Sequence, residues 1–235
     1  MQTIILAAGT GTRLGGLEHS VPKPLVTIGG LPLIAHALAH ACASGCQEAV
    51  VVIGHQGSRV REAAVAAGLG LTLRFVETPD PSTPNGDSLL VAERHAASRF
   101  FLQMVDHVFA EPVLNRLAAG PLGDGRGRVL VDREPVGLDV GDATKVQLAG
   151  DAVVAIGKTV DPWDAIDAGC FLLSHGIFDA LRTVPRTEAR TVSSAMRRLA
   201  ATQALDGVDI GGVRWVDVDT PSDRAAAERL LAGAT

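Results

Sequence analysis

The chain has 235 residues, of which 47% are hydrophobic and 20% charged, as in a single soluble domain with a substantial core. The formal net charge of −5 argues against a nucleic-acid-binding surface. No run approaches the ~18 apolar residues of a membrane span, and the first apolar run is too early and too short for a signal peptide. Cys42, Cys46 and Cys170 lie in apolar patterns, which favours buried thiols in the cytoplasm over zinc ligands or disulfides.

Strand and helix patterns alternate through the first half of the chain. The apolar run over 2–8 predicts a buried strand, and 32–44 predicts a helix with an apolar stripe. The elements expected next are a strand over 48–54, a helix over 57–67, a strand over 71–77, a helix over 85–97 capped near Asn85, and a strand over 100–105. This alternation predicts a Rossmann-like α/β fold with a mixed, mostly parallel sheet and helices on both faces.

Beyond residue 120 the pattern changes to short segments separated by Gly-Asp turns. These segments predict a small antiparallel β insertion that forms a subdomain over the sheet at about 120–175, within a single domain spanning 1–235. Its strands are expected over 127–132, 144–148, 152–157 and 166–173. The chain is then expected to close with helices near 175–182 and 191–202, a strand pair within 204–218, and a helix from Pro221 to Ala232.

Two histidines, His36 and His40, lie four residues apart on the first predicted helix. That spacing could hold a metal ion, but an exposed pair on a solvated helix face is the commoner arrangement. We therefore expect them to be exposed and without a metal.

A glycine-rich turn follows the first strand, in the segment LAAGTGTRLGG from Leu6 to Gly16. Small residues let backbone N–H groups surround an anion without a Cβ in the way. Arg13 and Lys23, the latter within Pro22-Lys23-Pro24, add positive charge at the rim. The segment therefore predicts a polyphosphate-binding loop.

Two commoner glycine loops do not fit this segment. A dinucleotide-binding turn needs a third glycine where Leu14 stands, and a kinase-type phosphate loop needs Gly-Lys followed by Ser or Thr. An ordinary strand-to-helix turn would not explain why Arg13 and Lys23 stand at these two positions of the pattern. The remaining pattern, L-A-A-G-x-G-T-R-L followed by P-K-P, resembles the signature of nucleotidyltransferases that activate phosphorylated sugars and alcohols.

Two acidic residues are placed to hold a divalent cation. Asp106 follows a buried strand, at the sheet edge where open α/β folds bind ligands, although it could instead cap a helix near Glu111. Asp219 precedes the last helix and could be its N-cap, with Asp223 reinforcing the helix dipole. The Asp-x-Asp pattern of Asp217 and Asp219 favours a second carboxylate on the metal.

Further segments make the resemblance specific to inositol-1-phosphate cytidylyltransferases, within the MobA-like NTP transferase superfamily. The segments are NGDSL (85–89), MVDHVF (104–109), DATKV (142–146), IGK (156–158), DAG (167–169) and DVDTP (217–221). They occur in the family's order from residue 3 to about residue 231. Asp87 stands where an aromatic residue is expected in relatives.

The resemblance implies a Mg²⁺-dependent transfer of CMP from CTP to inositol 1-phosphate, giving CDP-inositol and pyrophosphate. In that family the domain is often fused to a membrane phosphotransferase that consumes the CDP-alcohol. No such segment is evident in this sequence, so we expect any such partner enzyme to be a separate polypeptide and expect no direct membrane insertion.

The resemblance also implies a role for each matching residue. Arg13 and Lys23 would stabilise the leaving pyrophosphate, Lys158 would clamp the acceptor phosphate, and Asp106 and Asp219 would bind Mg²⁺. Nucleotide-binding residues are expected at Leu6, Ala7, Ala8, Gly9, Thr10, Gly11, Thr12, Arg13, Lys23, Asn85, Gly86, Ser88 and Asp106. The acceptor-binding residues, in the 120–175 subdomain, would be Lys145, Lys158 and Asp167.

Lysine usage gives this assignment weak independent support. Of 21 basic residues only Lys23, Lys145 and Lys158 are lysines, and a compact ammonium cannot be replaced by a guanidinium where it contacts a ligand. The acceptor phosphate is mostly dianionic at neutral pH, because its second pKa is about 6, so no general base is required.

Three alternatives stay open at the level of sequence. The acceptor could be another small phosphorylated or phosphonate compound, such as phosphocholine or a hydroxyalkyl phosphonate. The chain could instead be a sugar-1-phosphate nucleotidyltransferase, which the inserted strands resemble less well. A catalytically inactive nucleotide sensor is disfavoured, because it would have lost some of the lysines and aspartates named above.

Overall fold

A computed structural model describes residues 1–9 and 21–233. Its strands are β1 Gln2–Ala7, β2 Thr27–Ile28, β3 Leu31–Pro32, β4 Glu48–Ile53, β5 Thr72–Glu77, β6 Arg99–Met104, β7 His107–Phe109, β8 Gly127–Asp132, β9 Lys145–Ala149, β10 Ala152–Gly157, β11 Ala165–Ser174, β12 Leu205–Asp209 and β13 Trp215–Asp217. The α-helices are α1 Leu33–Ala43, α2 Gly57–Ala66, α3 Asn85–Leu90, α4 Leu114–Leu117, α5 Gly176–Arg182, α6 Val192–Ala201 and α7 Pro221–Ala232. In these described residues, no helix is both long and apolar enough to cross a membrane.

Nine strands form one mixed sheet in the order β5-β4-β1-β6-β11-β8-β12-β10-β9. The strands from β5 to β6 are all parallel, and β11 joins β6 antiparallel. Alternate residues of β1 enter different cores: Ile4 packs in the core with α3, α5 and α6, and Ile5 in the core with α1, α2 and α7. The predicted mixed sheet with helices on both faces is confirmed.

The strands of the 120–175 segment extend the central sheet and do not lie over it, contrary to prediction. The reason is the length of β11, whose ten residues pair with β6 near one end and with β9 near the other. Along its other edge β11 pairs with β8. Because β9 also pairs with β10, and β10 with β12, the sheet curls back on itself at this end.

Two other predicted elements differ from the structure. The helix expected over 85–97 ends at Leu90 and is followed by a separate 3-10 helix at Glu93–His95. The side-chain amide of Gln2 then bonds both the His95 carbonyl and the Ala97 N–H and holds that stretch against β1. The segments expected to pair within 204–218 do not pair with each other. Instead β12 joins β8 and β10, and β13 pairs with β7.

The histidines of α1 are not an exposed pair, so that expectation was wrong. The Nε2 atom of His36 lies 2.9 Å from the Ile28 carbonyl oxygen. The Val113 N–H donates to His40 Nε2, so His40 carries its proton on Nδ1 and donates it to Gln103 Oε1. Both rings are partly buried and join α1 to neighbouring segments.

The three cysteines are free thiols. Cys46 and Cys170 are buried as predicted, and Cys42 is half-buried.

Candidate active site

A cleft of about 570 Å³ opens beyond the carboxyl end of β6, beside β13 and the start of α7. This is the sheet edge at which open α/β folds bind ligands. Eight of the residues singled out from the sequence line it, namely Lys23, Asn85, Asp106, Lys158, Asp167, Asp217, Asp219 and Asp223. The cleft therefore gathers residues from across the chain.

The floor of the cleft is built around the ammonium of Lys23. Lys23, which stands between Pro22 and Pro24, begins the short 3-10 helix Lys23–Leu25. Its Nζ donates to Asp106 Oδ2 at 2.5 Å and to Asp219 Oδ1 at 2.6 Å. Burial alone would lower the pKa of Lys23, but the surrounding carboxylates outweigh it and raise that pKa above its usual range. Lys23 is therefore charged, and it brings two acids from distant parts of the chain together.

Asp106 is held from two sides. Its Oδ2 accepts from Lys23, and its Oδ1 lies 2.8 Å from His107 Nδ1. Burial would raise the pKa of Asp106, but Lys23 and His107 hold it well below the usual range, so the group is a carboxylate. Helix α4 begins only at Leu114, with Val113 at its N-cap, which excludes the alternative role of Asp106 as a helix cap.

The capping alternative is also excluded for Asp219. Thr220 is the N-cap of α7, where its Oγ1 accepts from the Asp223 N–H and Asp223 Oδ2 accepts from the Thr220 N–H. The predicted role of Asp223 at the helix start is thus part of this capping box. The Asp219 side chain contacts Lys23 instead.

Asp217 and His107 complete an acidic cluster with Asp106. One ligand atom from each of these three residues lies within 4.8 Å of the other two. Among the described residues Asp217 Oδ1 is buried and has no hydrogen-bond partner, and it lies 3.9 Å from His107 Nδ1. Burial, assisted by Asp106, raises the pKa of Asp217 to about 6. A buried carboxylate oxygen without a hydrogen bond, beside another carboxylate, fits a hard divalent cation such as Mg²⁺, which prefers oxygen ligands.

Sequence reasoning missed His107. Burial would lower the pKa of His107, but Asp217 and Asp106 outweigh it and raise that pKa to about 9. The position of His107 in the MVDHVF segment, directly after a candidate metal ligand, was the available signal.

The opposite end of the cleft carries Lys158. Its Nζ pairs with the Asp142 carboxylate, and its backbone carbonyl accepts from Lys145 Nζ at 3.0 Å. Lys145 therefore contacts the loop that carries Lys158. Asp167 accepts from the Gly169 N–H at 2.8 Å, and burial raises the pKa of Asp167 to about 6.

The residues expected near the base differ in whether they line the cleft or are packed in the interior. Asn85 lines the cleft, and its Oδ1 accepts from the Val192 N–H at 2.9 Å. Gly86 packs directly on the Arg190 backbone, where any Cβ would overlap the Arg190 carbonyl oxygen, and Ser88 is buried. Asp87, where an aromatic residue was expected, forms an ion pair with Arg190 at 2.7 Å.

Only the beginning of the predicted phosphate loop lies within the described residues. Leu6, Ala7 and Ala8 are buried at the end of β1, and Gly9 is exposed. The predicted loop residues Thr10, Gly11, Thr12 and Arg13 lie outside the described residues.

Comparison with protein families adds the deciding observation, because residues 3–137 match the model of the MobA-like NTP transferase domain. The chain belongs to the MobA-like NTP transferase family. The resemblance found in the sequence motifs is thereby confirmed at the level of the family.

Within the family, similar curated proteins carry a composite name. A "Bifunctional IPC transferase and DIPP synthase" of Rubrobacter xylanophilus is 38% identical over 231 residues, which are 97% of this chain and 51% of that protein. The protein of the same name from Archaeoglobus fulgidus is 34% identical over 236 residues, 100% of this chain and 44% of that protein. The chain thus spans about half the length of these curated relatives.

A solved structure of similar fold is that of the inositol-1-phosphate CTP transferase from T. maritima. It superposes with a TM-score of 0.89 at 23% identity, covering 99% of this chain and 95% of that one. The likeness establishes the nucleotidyltransferase fold of this MobA-like chain.

Proposed function

We propose that this chain transfers CMP from CTP to inositol 1-phosphate, forming CDP-inositol and pyrophosphate with the help of Mg²⁺. The observation that carries the proposal is the arrangement of one cleft, with Lys23, Asp106 and Asp219 in contact at one end and Lys158 at the other. Relatives of 34–38% identity named IPC transferases support the choice of nucleotide and acceptor. A CDP-alcohol phosphotransferase would then consume the product.

At the cation end, the chain supplies carboxylates and an ammonium. Asp106 and Asp219 would hold Mg²⁺, with Asp217 as a further oxygen donor. When bound, Mg²⁺ would neutralise charge on the triphosphate as pyrophosphate leaves. Lys23 lies against the same carboxylates, where it can contact the phosphates, and Arg13 would do so from the loop.

At the acceptor end, Lys158 would bind the phosphate of inositol 1-phosphate and direct it toward the α-phosphorus of CTP. The phosphate dianion attacks directly, so the rate depends on alignment and charge stabilisation and not on a base. Lys145 would fix the Lys158 loop through its carbonyl. Asp167 would accept hydrogen bonds from acceptor hydroxyl groups, which makes the 120–175 segment the acceptor-binding part of the domain.

The base of CTP would lie near Ala7, Asn85, Gly86 and Ser88. Asn85 is the member of this set that lines the cleft. Because its Oδ1 accepts from Val192, its Nδ2 amino group is left to donate toward a ligand.

A phosphonate is the second candidate acceptor. The CMP-5'-(3-aminopropyl)phosphonate synthase of Streptomyces rubellomurinus is 32% identical over 246 residues, which are 97% of this chain and 38% of that protein. This reaction would also use CTP, with a phosphonate oxygen as the nucleophile. Relatives named sugar-1-phosphate transferases, such as the uridylyltransferase AglF of Haloferax volcanii, are only 25% identical, which disfavours a sugar acceptor.

A two-way substrate panel tests the proposal. Pyrophosphate release is measured for CTP, UTP, GTP, ATP and dTTP, each with inositol 1-phosphate, phosphocholine, 3-aminopropylphosphonate or glucose 1-phosphate, and products are identified by mass. We expect the largest kcat/KM for CTP with inositol 1-phosphate, and loss of that signal in Asp106→Asn. A larger value for the phosphonate, or for UTP with glucose 1-phosphate, would contradict the proposed acceptor or nucleotide.

A further inference from the structure

We propose that His107 is a positioning residue, which fixes the orientation of the Asp106 carboxylate for cation binding, and that Trp215 and Gly169 hold its ring. This inference rests on the proposed function, because it takes Asp106 to be a cation ligand. Each contact that supports it lies among the described residues.

The pairing of β7 with β13 places the His107 ring. In this antiparallel pair Trp215 faces Phe109 and Asp217 faces His107. Residues opposite each other, or two apart on one strand, share a face of the ribbon, so His107 and Trp215 lie on the same face. Their rings stack with centroids 5.3 Å apart and an angle of 10° between planes.

The Trp215 side chain is itself held in place by a hydrogen bond from its indole N–H and by stacking against its ring. Its Nε1 donates to Asp132 Oδ2 at 2.9 Å in the buried interior, at the end of β8. Phe109 stacks on Trp215 at 6.0 Å, and His40 stacks on Phe109 at 4.8 Å. The indole therefore gives His107 a rigid surface to lie on, because a buried indole with its N–H bonded has little freedom to rotate.

Gly169 closes the other side of His107. It adopts φ +69°, and a Cβ at this position would overlap the His107 ring atoms Cδ2 and Nε2. A side chain at this position would thus force the imidazole away from its present place. The glycine of the DAG segment is needed for close approach as well as for its backbone conformation.

The result is an imidazole that presents Nδ1 to Asp106 Oδ1 in a fixed direction, 2.8 Å away. A carboxylate with one oxygen pinned can no longer rotate about its Cβ–Cγ bond without losing that contact. The other oxygen, Oδ2, is then held on the side of the cleft where Lys23 lies. Groups that orient metal ligands in this way typically change metal affinity or activity by 10–100-fold, so we expect an effect of about that size here.

Three substitutions separate the hydrogen bond from the packing. His107→Phe keeps a ring against Trp215 but removes the donor, and His107→Asn keeps a donor near the Nδ1 position but removes the ring. His40→Phe is the matched control, because His40 stacks in the same aromatic column but bonds to Gln103 and not to an acid of the cleft. All three are compared for folding by circular dichroism and thermal unfolding.

The decisive measurement is Mn²⁺ binding by electron paramagnetic resonance, with and without CTP and without any acceptor. We expect His107→Phe to weaken Mn²⁺ binding and lower kcat by about 10–100-fold, with the acceptor KM nearly unchanged. His107→Asn should recover most of the Mn²⁺ affinity, and His40→Phe should retain it.

Mn²⁺ affinity at the parental value in a folded His107→Phe chain would overturn the inference and leave the proposed function intact. An affinity in His107→Asn no better than in His107→Phe would also overturn it, since a donor at the Nδ1 position would then not restore Mn²⁺ binding. If the parental chain itself bound no Mn²⁺ even with CTP, both this inference and the proposed metal site would be wrong.

Discussion

The two ends of the cleft are built in opposite ways. At the cation end, Lys23 is 11% exposed and bonds to acids that lie 83 and 196 residues away in sequence. At the acceptor end, Lys158 and Asp142 are 58% and 57% exposed and lie only 16 residues apart. The first cluster is largely buried, and the second is an exposed ion pair that lines the cleft.

This difference indicates which end can change without loss of the fold. Breaking a buried ion pair leaves an uncompensated charge and costs about 3–5 kcal/mol, whereas an exposed pair contributes about 0–1 kcal/mol. The proposed acceptor end could therefore exchange its partners for a substrate phosphate, or be altered for a new acceptor, at little structural cost. Similarity of this chain to proteins named for different acceptors is consistent with that division.

The largest predicted effect comes from the acids of the buried end. We expect Asp106→Asn and Asp219→Asn each to remove nearly all turnover, since a lost metal ligand costs several kcal/mol of transition-state stabilisation, about 10³-fold or more in kcat. Pyrophosphate release at saturating Mg²⁺ measures the effect. Asp179→Asn, an exposed aspartate of α5, is the control. Near-normal kcat in Asp219→Asn would show that its contact with Lys23 is structural.

Much of this buried end could be predicted from the sequence. Asp106 and Asp219 were identified because each acid follows a predicted strand, and strand ends of an open α/β sheet share one edge. Their contact through Lys23 was not predicted, because it joins three segments that no local pattern relates. The role of His107 depends on the register of β7 with β13, two three-residue strands too short to give a periodic signal.

Prediction of the fold from the sequence is limited in the same way, by contacts between residues that lie far apart in the chain. Helices and strands with long apolar patterns, such as α1 and β4, were placed within one or two residues. The non-helical stretch around His95 and Ala97 is bonded by Gln2, more than ninety residues away along the chain. The extension of the sheet through β11 depends on pairings at both of its edges, which alternation alone cannot specify.

The second prediction concerns Lys23, which occupies the same carboxylate oxygens that would bind the cation. Lys23→Met should lower CTP affinity and kcat, and without metal it should lower the free energy of unfolding by about 3–5 kcal/mol. Because the competing ammonium is gone, Mn²⁺ should bind the nucleotide-free variant more tightly than the parental chain and restore part of its stability. Urea unfolding with and without Mn²⁺ tests this. Equal stabilisation by Mn²⁺ in both chains would contradict competition at these carboxylates.

The third prediction moves to the exposed end. Lys158→Arg keeps the charge, but its longer planar guanidinium should displace the acceptor phosphate, and a misplacement of about 1 Å can cost on the order of 100-fold in rate. CTP affinity, measured alone by calorimetry, should barely change, and neither should stability. Arg99→Lys, at the far end of β6, is the matched control. Parental turnover of inositol 1-phosphate by Lys158→Arg would remove Lys158 from the proposed acceptor site.

The smallest effect is expected at Lys145, and it decides which lysine contacts the acceptor. Lys145 Nζ donates to the Lys158 carbonyl, so Lys145→Gln should loosen the Lys158 loop by one hydrogen bond, worth about 0.5–1.5 kcal/mol. That corresponds to roughly a two- to tenfold change, seen in the acceptor KM more than in kcat. Since Lys145 would act through the Lys158 loop, adding Lys145→Gln to Lys158→Arg should cost little more than Lys158→Arg alone. If instead Lys145→Gln is the more damaging single change, the acceptor phosphate binds Lys145, and the Lys158–Asp142 pair is a surface contact beside the site.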